Sequence, residues 1–343
     1  MPPGVPHFIC VSSTFPLPIF PSMNKTDLIR AIKIIGIPVA FALIMRYCFG
    51  LDSWAALFSV MTIAFLVGIP FGVGALMIYL SSVKKVKSWS YRFFVPWIPI
   101  IIFFLFTLGL AIEGWACWLM IMPVFLLLSS IGGLVAGYFK LRDQKRDENI
   151  FVSVIVLLPL VISPLEKLIA VIPGTYEAYT YIDIKAPKAA VWQQVTRVKE
   201  IKAQQDKGWL TQFLGFPRPL RAELNYEGVG AYREAIFTGG LIFHETVTEY
   251  SHQRKMTFDI RANPYEIPST TMDEHVVVGG DYFDVLNGVY ELEQLDANTC
   301  RLHLSSHFKL STTFNFYASW WARWIMKDIQ NNILQVVKQR AEH

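Results

Sequence analysis

Four long apolar stretches fill most of the first 140 residues: about Ala31–Phe49, Trp54–Leu80, Phe93–Ile112 and Trp115–Phe139. Each is close to the roughly 20 residues that carry an α-helix across about 30 Å of hydrocarbon. A water-soluble fold of ordinary size has no core large enough to hide them, so a multi-span membrane region is expected. The links support it. Gly50–Ser53 and Glu113–Gly114 each carry one acid and no base. Lys84, Lys85, Lys87 and Arg92 follow the second stretch, Lys140, Arg142, Lys145 and Arg146 follow the fourth, and Lys25, Arg30 and Lys33 precede or open the first. Basic residues favour the cytoplasmic side, which places the N-terminus in the cytoplasm.

The apolar bias is local. Hydrophobic residues make up 53% of the 343-residue chain and charged residues 17%, against about 25% charged in a typical soluble domain. Residues 174–343 nevertheless read as normally polar and are numerous enough for a core of their own. Net charge is only +4, and the cations cluster beside the apolar stretches, so nucleic acid is not an expected partner. Cys10, Cys48, Cys117 and Cys300 lie far apart with no CxxC pair; neither a disulfide framework nor a metal site is expected. Residues 1–30 precede the first span. The first 22 of them, rich in Pro and without a basic start, are expected to be disordered or to precede the true start at Met23.

Within the spans, Gly68–Gly72 and Gly133–Gly137 fit the GxxxG spacing that lets two helix backbones approach. Arg46 is expected to snorkel to the outer interface. No series of acids and histidines marks an ion pathway, and Trp54, Trp97, Trp115 and Trp118 suit an interfacial belt. The segment Ile150–Pro173 is ambiguous, because Pro159 and Pro164 interrupt it and Glu166 and Lys167 sit near its end. Its first 16 residues, to Leu165, make about 24 Å of helix, slightly short of a crossing. Crossing is favoured over an interfacial helix, with Glu166 and Lys167 at the outer interface. The membrane region then has about five helices over residues 31–173, and residues 174–343 work outside the cytoplasm.

After Pro173 the pattern changes. Tyr176–Ile184 alternates as a strand, and KAAVWQQVTRV after Pro187 reads as a helix. A second helical stretch covers about Lys199–Leu214, strands fill most of Ala222–Phe308, and an amphipathic helix closes the chain at about Phe314–Ala341. The aromatic run FNFYASWWARW at its start is richer than one buried stripe needs; it suits either a helix end packed on the sheet rim or a mouth touching lipid. The implied fold class is α+β, a curved antiparallel sheet around a long C-terminal helix, preceded by an all-α transmembrane region.

In that order of elements, and in IKAPKAAVWQQV, GVGAYREAIFTGGLIFHETV, HVVVGGDYFDVLNGVYELE and LHLSSHFKLSTTFNFYASWWARWIMKDIQNNIL, residues 175–343 resemble the START-related SRPBCC superfamily, the polyketide-cyclase/dehydrase and lipid-transport group with the helix-grip fold. The resemblance covers about half the chain and implies an apolar cavity between sheet and closing helix, used for lipids, sterols or polycyclic aromatics. It carries over no catalytic residue. A membrane region departs from the minimal family domain.

Strand register narrows the cavity candidates. A three-residue loop at Thr238–Gly240 sets Phe237 opposite Leu241, Ala235 opposite Phe243 and Ala231 opposite Val247, all facing inward. The same register sets Arg233 opposite Glu245 on that interior face. This buried pair suits a structural ion pair, a ligand headgroup site or acid–base chemistry. Leu292 opposite Leu302 and Tyr290 opposite Leu304 put Tyr290 inside, with His303 and His307 outside. Gly279-Gly280 is expected to mark a bulge or a close backbone approach. Arg233, Phe237, Phe243, Glu245, His275, Tyr290 and Trp321 are the ligand-cavity candidates; Tyr282 and Asp284 are the further polar groups near His275.

His244-Glu245 lacks the second His of HExxH, and GxGxxG, phosphate-loop and GxSxG motifs do not occur. No cofactor and no metal are expected. The expected function is membrane-tethered binding or transfer of a lipid or other hydrophobic small molecule, a ligand-binding role rather than enzymatic, with membrane lipids as partners. The alternatives are a cyclase- or hydratase-like enzyme and a sensor domain coupled to the helices.

Overall fold

The structure, a computed structural model, describes residues 25–142, 148–168, 173–263 and 278–343. The expectation for the first 22 residues lies outside them. The N-terminal half is helical: α1 (Lys25–Phe49), α2 (Ile63–Leu80), α3 (Val83–Val86), α4 (Trp89–Phe94), α5 (Trp97–Gly109), α6 (Trp115–Arg142) and α7 (Glu148–Leu168). Four helical stretches among the described residues are long and apolar enough to cross a membrane: Leu28–Phe49, Ile63–Leu80, Trp89–Gly109 and Trp115–Arg142. Helix α7 carries a shorter apolar stretch, Ser153–Glu166.

The second stretch starts later than its hydropathy suggests. Residues 55–62 form turns and irregular chain, and α2 begins only at Ile63. Polar side chains set that start. Thr62 caps the helix by accepting from the Phe65 amide, its hydroxyl donates to the Ser59 carbonyl (2.7 Å), and Ser59 accepts from the Met61 amide (3.1 Å). Such local bonds give the backbone an alternative to helix.

Helices α2 and α6 form the centre of the bundle. A Cβ at Gly74 would collide with the Ser129 carbonyl, and one at Gly132 with the Phe71 carbonyl, so these glycines bring the two backbones into contact. The GxxxG glycines seat other elements. A Cβ at Gly68 would come within 2.8 Å of Pro159 in α7, and one at Gly72 within 2.8 Å of Phe41 in α1. Gly133 and Gly137 make room for Arg92 of α4. Helix α7 thus runs antiparallel along α2, with Ile155 near Gly72 and Pro159 against Gly68. At its far end the Glu166 carboxylate accepts from the Ile63 and Ala64 amides (2.7 and 2.9 Å). A carboxylate there satisfies orphan N–H groups and complements the positive end of the helix dipole.

Arg46 does not snorkel. It is buried, 6% exposed, and its Nε donates to Glu113 in the link between α5 and α6. A buried guanidinium is tolerable when a carboxylate meets it, and the one acid of that link supplies the partner.

The C-terminal half is β1 (Gly174–Ile184), α8 (Lys188–Thr196), β2 (Arg197–Val198), α9 (Trp209–Leu214), β3 (Pro219–Glu223), β4 (Tyr232–Phe237), β5 (Ile242–Ser251), β6 (Lys255–Ala262), β7 (Phe283–Asp296), β8 (Thr299–Leu310) and α10 (Asn315–Ala341). The helix expected over 199–214 shrinks to α9 and a 3-10 turn at Ala203–Gln205. Asp206 in that stretch instead bonds Arg218 and Asn332 (both 2.8 Å), holding the chain against neighbouring elements. The described strands form one antiparallel sheet in the order β1-β8-β7-β6-β5-β4-β3-β2. Register shifts between Val247 and Glu249 and between Val285 and Asn287 interrupt the ladder, and such bulges bend a sheet.

Helix α10 packs against the concave face. Buried Gln330 fixes it there: its amide donates to the Ala178 carbonyl and the Ser306 hydroxyl (both 3.0 Å), and its carbonyl accepts from Thr180 (3.1 Å). Asp328 accepts from the Thr211 amide and hydroxyl (both 2.9 Å), fastening α9 to α10.

The halves meet at the bundle end that holds the starts of α2 and α6. Thr313 accepts from the Ile63 amide (3.1 Å) and donates to the Met61 carbonyl (3.2 Å), and Tyr317 donates to the Met120 carbonyl. Ala116 shares a small core with Leu210 and Leu214. The basic residues lie at the opposite end: Lys140 and Arg142 in the last turn of α6, and Lys84 and Lys85 in α3, just after the end of α2.

Candidate ligand-binding cavity

Between the sheet, α10 and the helical bundle lies a cavity of about 450 Å³, within the range of about 300–1,000 Å³ usual for small-molecule sites. Its walls come from three sources. The sheet contributes Ala235, Phe237, Phe243, Phe258 and Leu304, and α10 contributes Tyr317, Trp321, Ile325 and Ile329. The third wall belongs to the helical half: Val60, Met61 and Phe65 around the start of α2, and Glu113, Trp118 and Ile121 at the start of α6. The lining is mostly apolar. Strand alternation explains the first wall and helical periodicity the second, but no pattern in either half announces the third.

The β4–β5 hairpin has the expected register. Gly239 and Gly240 adopt φ of 75° and 85° in the three-residue loop, a backbone region glycine enters without steric cost. Ala235 stands opposite Phe243 and Arg233 opposite Glu245. Arg233 and Glu245 are 4% and 5% exposed, both line the cavity, and Arg233 Nε donates to Glu245. Arg233 Nη1 also donates to the Val195 carbonyl (3.3 Å), and the guanidinium lies 4.6 Å from the Phe258 ring centre and 5.9 Å from that of Tyr290. Gly288 stands opposite Phe258, and a Cβ there would run into the Phe258 ring. A glycine on one strand thus lets the ring under Arg233 lie flat.

Electrostatics in this cluster are set by burial. Loss of water, the largest influence, pushes the Glu245 carboxyl above its ordinary range against the pull of Arg233. The same loss is also the largest single influence on Arg233 and would lower it, but the charges and hydrogen bonds of Glu245 and Tyr290 together outweigh it and hold the guanidinium protonated. Burial also raises the Tyr290 phenol, which stays neutral. The result is a fixed cation, a carboxyl that ionises reluctantly and a neutral hydroxyl, side by side on an apolar wall.

Of the sequence candidates, Arg233, Phe237, Phe243, Glu245, Tyr290 and Trp321 all line this cavity; His275 lies outside the described residues. Tyr282 also lines it, and its hydroxyl is 3.1 Å from Ser59 of the helical half. Burial raises the Asp284 carboxyl. Gly279 makes the expected close approach: a Cβ there would come within 2.7 Å of the Ala262 carbonyl. His303 and His307 sit on the outer face, bonded to Tyr179 (2.7 Å) and Asn287 (2.9 Å). Reading the halves separately missed Val60, Met61, Glu113 and Trp118. The clue available was that both uncharged-by-base links, at 50–53 and 113–114, fall at the same end of the bundle.

No family model and no curated protein matches the chain. Among solved structures it is similar to a protein from Nitrosospira multiformis, at 16% identity over 48% of this chain and 96% of that one, with a TM-score of 0.29. It is also similar to norcoclaurine synthase from Thalictrum flavum in complex with dopamine and hydroxybenzaldehyde, at 11% identity over 49% of this chain and 88% of that one, TM-score 0.29. The Aha1 dimer from Colwellia psychrerythraea matches at 17% identity over 49% and 96%, TM-score 0.27. Identities this low say nothing about ligand or activity.

Proposed function

We propose that the protein binds or transfers a lipid or other hydrophobic small molecule in this cavity while its N-terminal helices hold it in a membrane. The observation that carries the reading is the third wall: residues at the ends of membrane-length helices line the same apolar space as the sheet and α10. Apolar metabolites partition into bilayers, so a cavity built partly from spans meets them without a passage through water. Arg233, Glu245 and Tyr290 offer a carbonyl, hydroxyl or carboxylate of the ligand a hydrogen-bonding place on an otherwise apolar wall. In this reading α7 crosses beside α2, with Glu166 on the amides at the start of α2, and the sheet half stands on the side away from the basic loops. A reporter fused after His343 tests the sidedness: a cytoplasmic signal would remove the crossing of α7.

The binding test uses the full chain purified in mild detergent, its organic extract compared by mass spectrometry with that of Ala235→Trp, which fills the cavity. A compound enriched in the first and at least several-fold depleted in the second is expected. Identical extracts would sink the proposal.

One observation favours an enzymatic second reading. A carboxyl raised by burial beside a neutral phenol and a fixed cation is a common arrangement for proton transfer. Glu245→Gln that keeps ligand but loses turnover of it would select this reading.

A further inference from the structure

The start of α10 and the face of α9 beside it carry aromatic residues that the core does not use. Trp209 and Phe213 lie one turn apart on α9, and Phe316, Trp320 and Trp324 lie at successive turns of α10; all five are exposed. They form one surface. Trp209 meets Trp324 at 5.8 Å between ring centres, and Trp324 meets Trp320 at 5.4 Å. Soluble surfaces rarely gather this much contiguous apolar area without an occupant.

Three features identify the occupant. The surface continues the membrane-length helices: Phe213 packs edge-to-face on Trp115, the first residue of α6, at 5.9 Å. Exposure along α10 is graded, from 76% at Phe316 through 55% at Trp320 to 37% at Trp324, with the most exposed ring nearest the bundle. Lys327, also exposed, follows about one turn beyond Trp324, while Arg323, between Trp320 and Trp324, lays its guanidinium over the Tyr176 ring of β1 (5.2 Å). Three rings nearest the bundle with Lys327 beyond them is the order of an interfacial helix, where Trp sits among headgroups and a Lys reaches lipid phosphate.

We propose that this aromatic face of α9 and α10 sits in the headgroup–acyl boundary of the same bilayer leaflet that receives the outer ends of α2 and α6. The sheet half is then partly immersed rather than standing on a stalk, and the cavity behind Tyr317 and Trp321 is held at the depth of the lipid it takes. The inference rests on the membrane reading above, and its test separates the two.

Single nitroxide labels go at Phe316→Cys and Trp320→Cys, with Leu105→Cys on the exposed side of α5 and Tyr181→Cys on the outer face of β1 as references. The full chain, its native cysteines replaced by alanine, is placed in vesicles of phosphatidylcholine and phosphatidylglycerol. Collisions with oxygen are compared with collisions with a water-soluble nickel chelate. Oxygen is expected to exceed nickel several-fold at 105, 316 and 320, and the reverse is expected at 181. Water-like values at 316 and 320 with a lipid-like value at 105 would overturn the inference and leave the membrane reading intact. Water-like values at 105 as well would overturn both. Spin–spin broadening at 316 that vanishes on dilution with unlabelled protein would assign the face to a second copy, and also overturns it. Where the cysteine-free chain fails to fold, the native chain in brominated-lipid vesicles replaces it. Its quenched tryptophan fluorescence is expected to fall in the triple variant W209F, W320F and W324F, and no change would overturn the inference.

Discussion

Each half of the molecule buries an Arg–Glu pair, Arg233 with Glu245 on the cavity wall and Arg46 with Glu113, of which only Glu113 lines the cavity, and the two pairs are built by different means. Arg233 and Glu245 lie 12 residues apart across one hairpin, on adjacent strands of a sheet. Arg46 and Glu113 lie 67 residues apart, on the end of one helix and the link before another. Side-chain exposure is nearly the same, 4% and 7% in the first pair and 7% in both members of the second. Strand alternation and a short loop make the first pair a local consequence of sequence. The second exists only because the bundle brings α1 beside the α5–α6 link. Similar chemistry therefore has a local origin in one half and a tertiary origin in the other.

The largest effect is expected at the sheet pair. Glu245→Ala leaves Arg233 buried without its carboxylate, a loss of about 3–5 kcal/mol by analogy with broken buried pairs. Thermal unfolding of the detergent-purified chain measures it. The double variant Arg233→Met, Glu245→Leu should recover most of that stability, since paired apolar residues often replace a buried ion pair at little cost. Failure to recover would mean the pair is needed for more than mutual neutralisation.

A smaller effect is expected at the helix pair. Glu113→Ala strands Arg46, but Arg46 stands in the last turn of α1 and its long stem can carry the charge outward. The expected loss is about 1–3 kcal/mol, the range for a buried group left without its partner. A loss as large as that of Glu245→Ala would show that both pairs are equally cut off from water.

Next comes Glu166→Gln, which keeps a hydrogen-bond acceptor at the start of α2 but removes its charge. About 0.5–1 kcal/mol is expected from the helix-dipole contribution. Mild proteolysis provides the second readout, with faster cleavage near residues 55–62 than in the native chain. An unchanged pattern would show that Thr62 and Thr313 suffice to hold the joint.

The exposed pair of Asp183 and Arg301 gives the baseline. The bidentate bonds from Arg301 (2.7 and 3.0 Å) hold the Asp183 carboxyl below its ordinary value. A carboxyl lowered in the folded state adds stability above its unfolded value of 3.8 and loses it as pH falls through the folded value. Arg301→Gln should therefore change unfolding little near neutral pH and flatten only the acid limb of a pH titration below about pH 4. A marked loss at neutral pH would mean surface and buried pairs differ less than their exposure suggests.

The same contrast explains what could be read from the chain alone. The inward faces of β4, β5, β7 and β8 follow from period-two alternation, so Arg233, Glu245 and Tyr290 were legible together, as was the stripe of α10. Helical hydropathy gives the length of apolar stretches but neither their ends nor their neighbours. It extended α2 back to Trp54 across the bonds of Ser59 and Thr62, and it sent Arg46 outward because Glu113 is invisible as its partner until the helices pack. Glu166 reads from the sequence as the outer end of a fifth span, but its partner, the start of α2, is invisible until the helices pack.

The third cavity wall has a consequence for inheritance. Because Met61 and Ile121 close a space whose other sides are Tyr317, Ile325 and Leu310, neither half owns the shape of the pocket. A change of ligand size must be accommodated by substitutions on both sides of the joint, and those positions should vary together across related chains. A fusion that kept the sheet half and exchanged the helices would deliver a vessel with an unmatched floor.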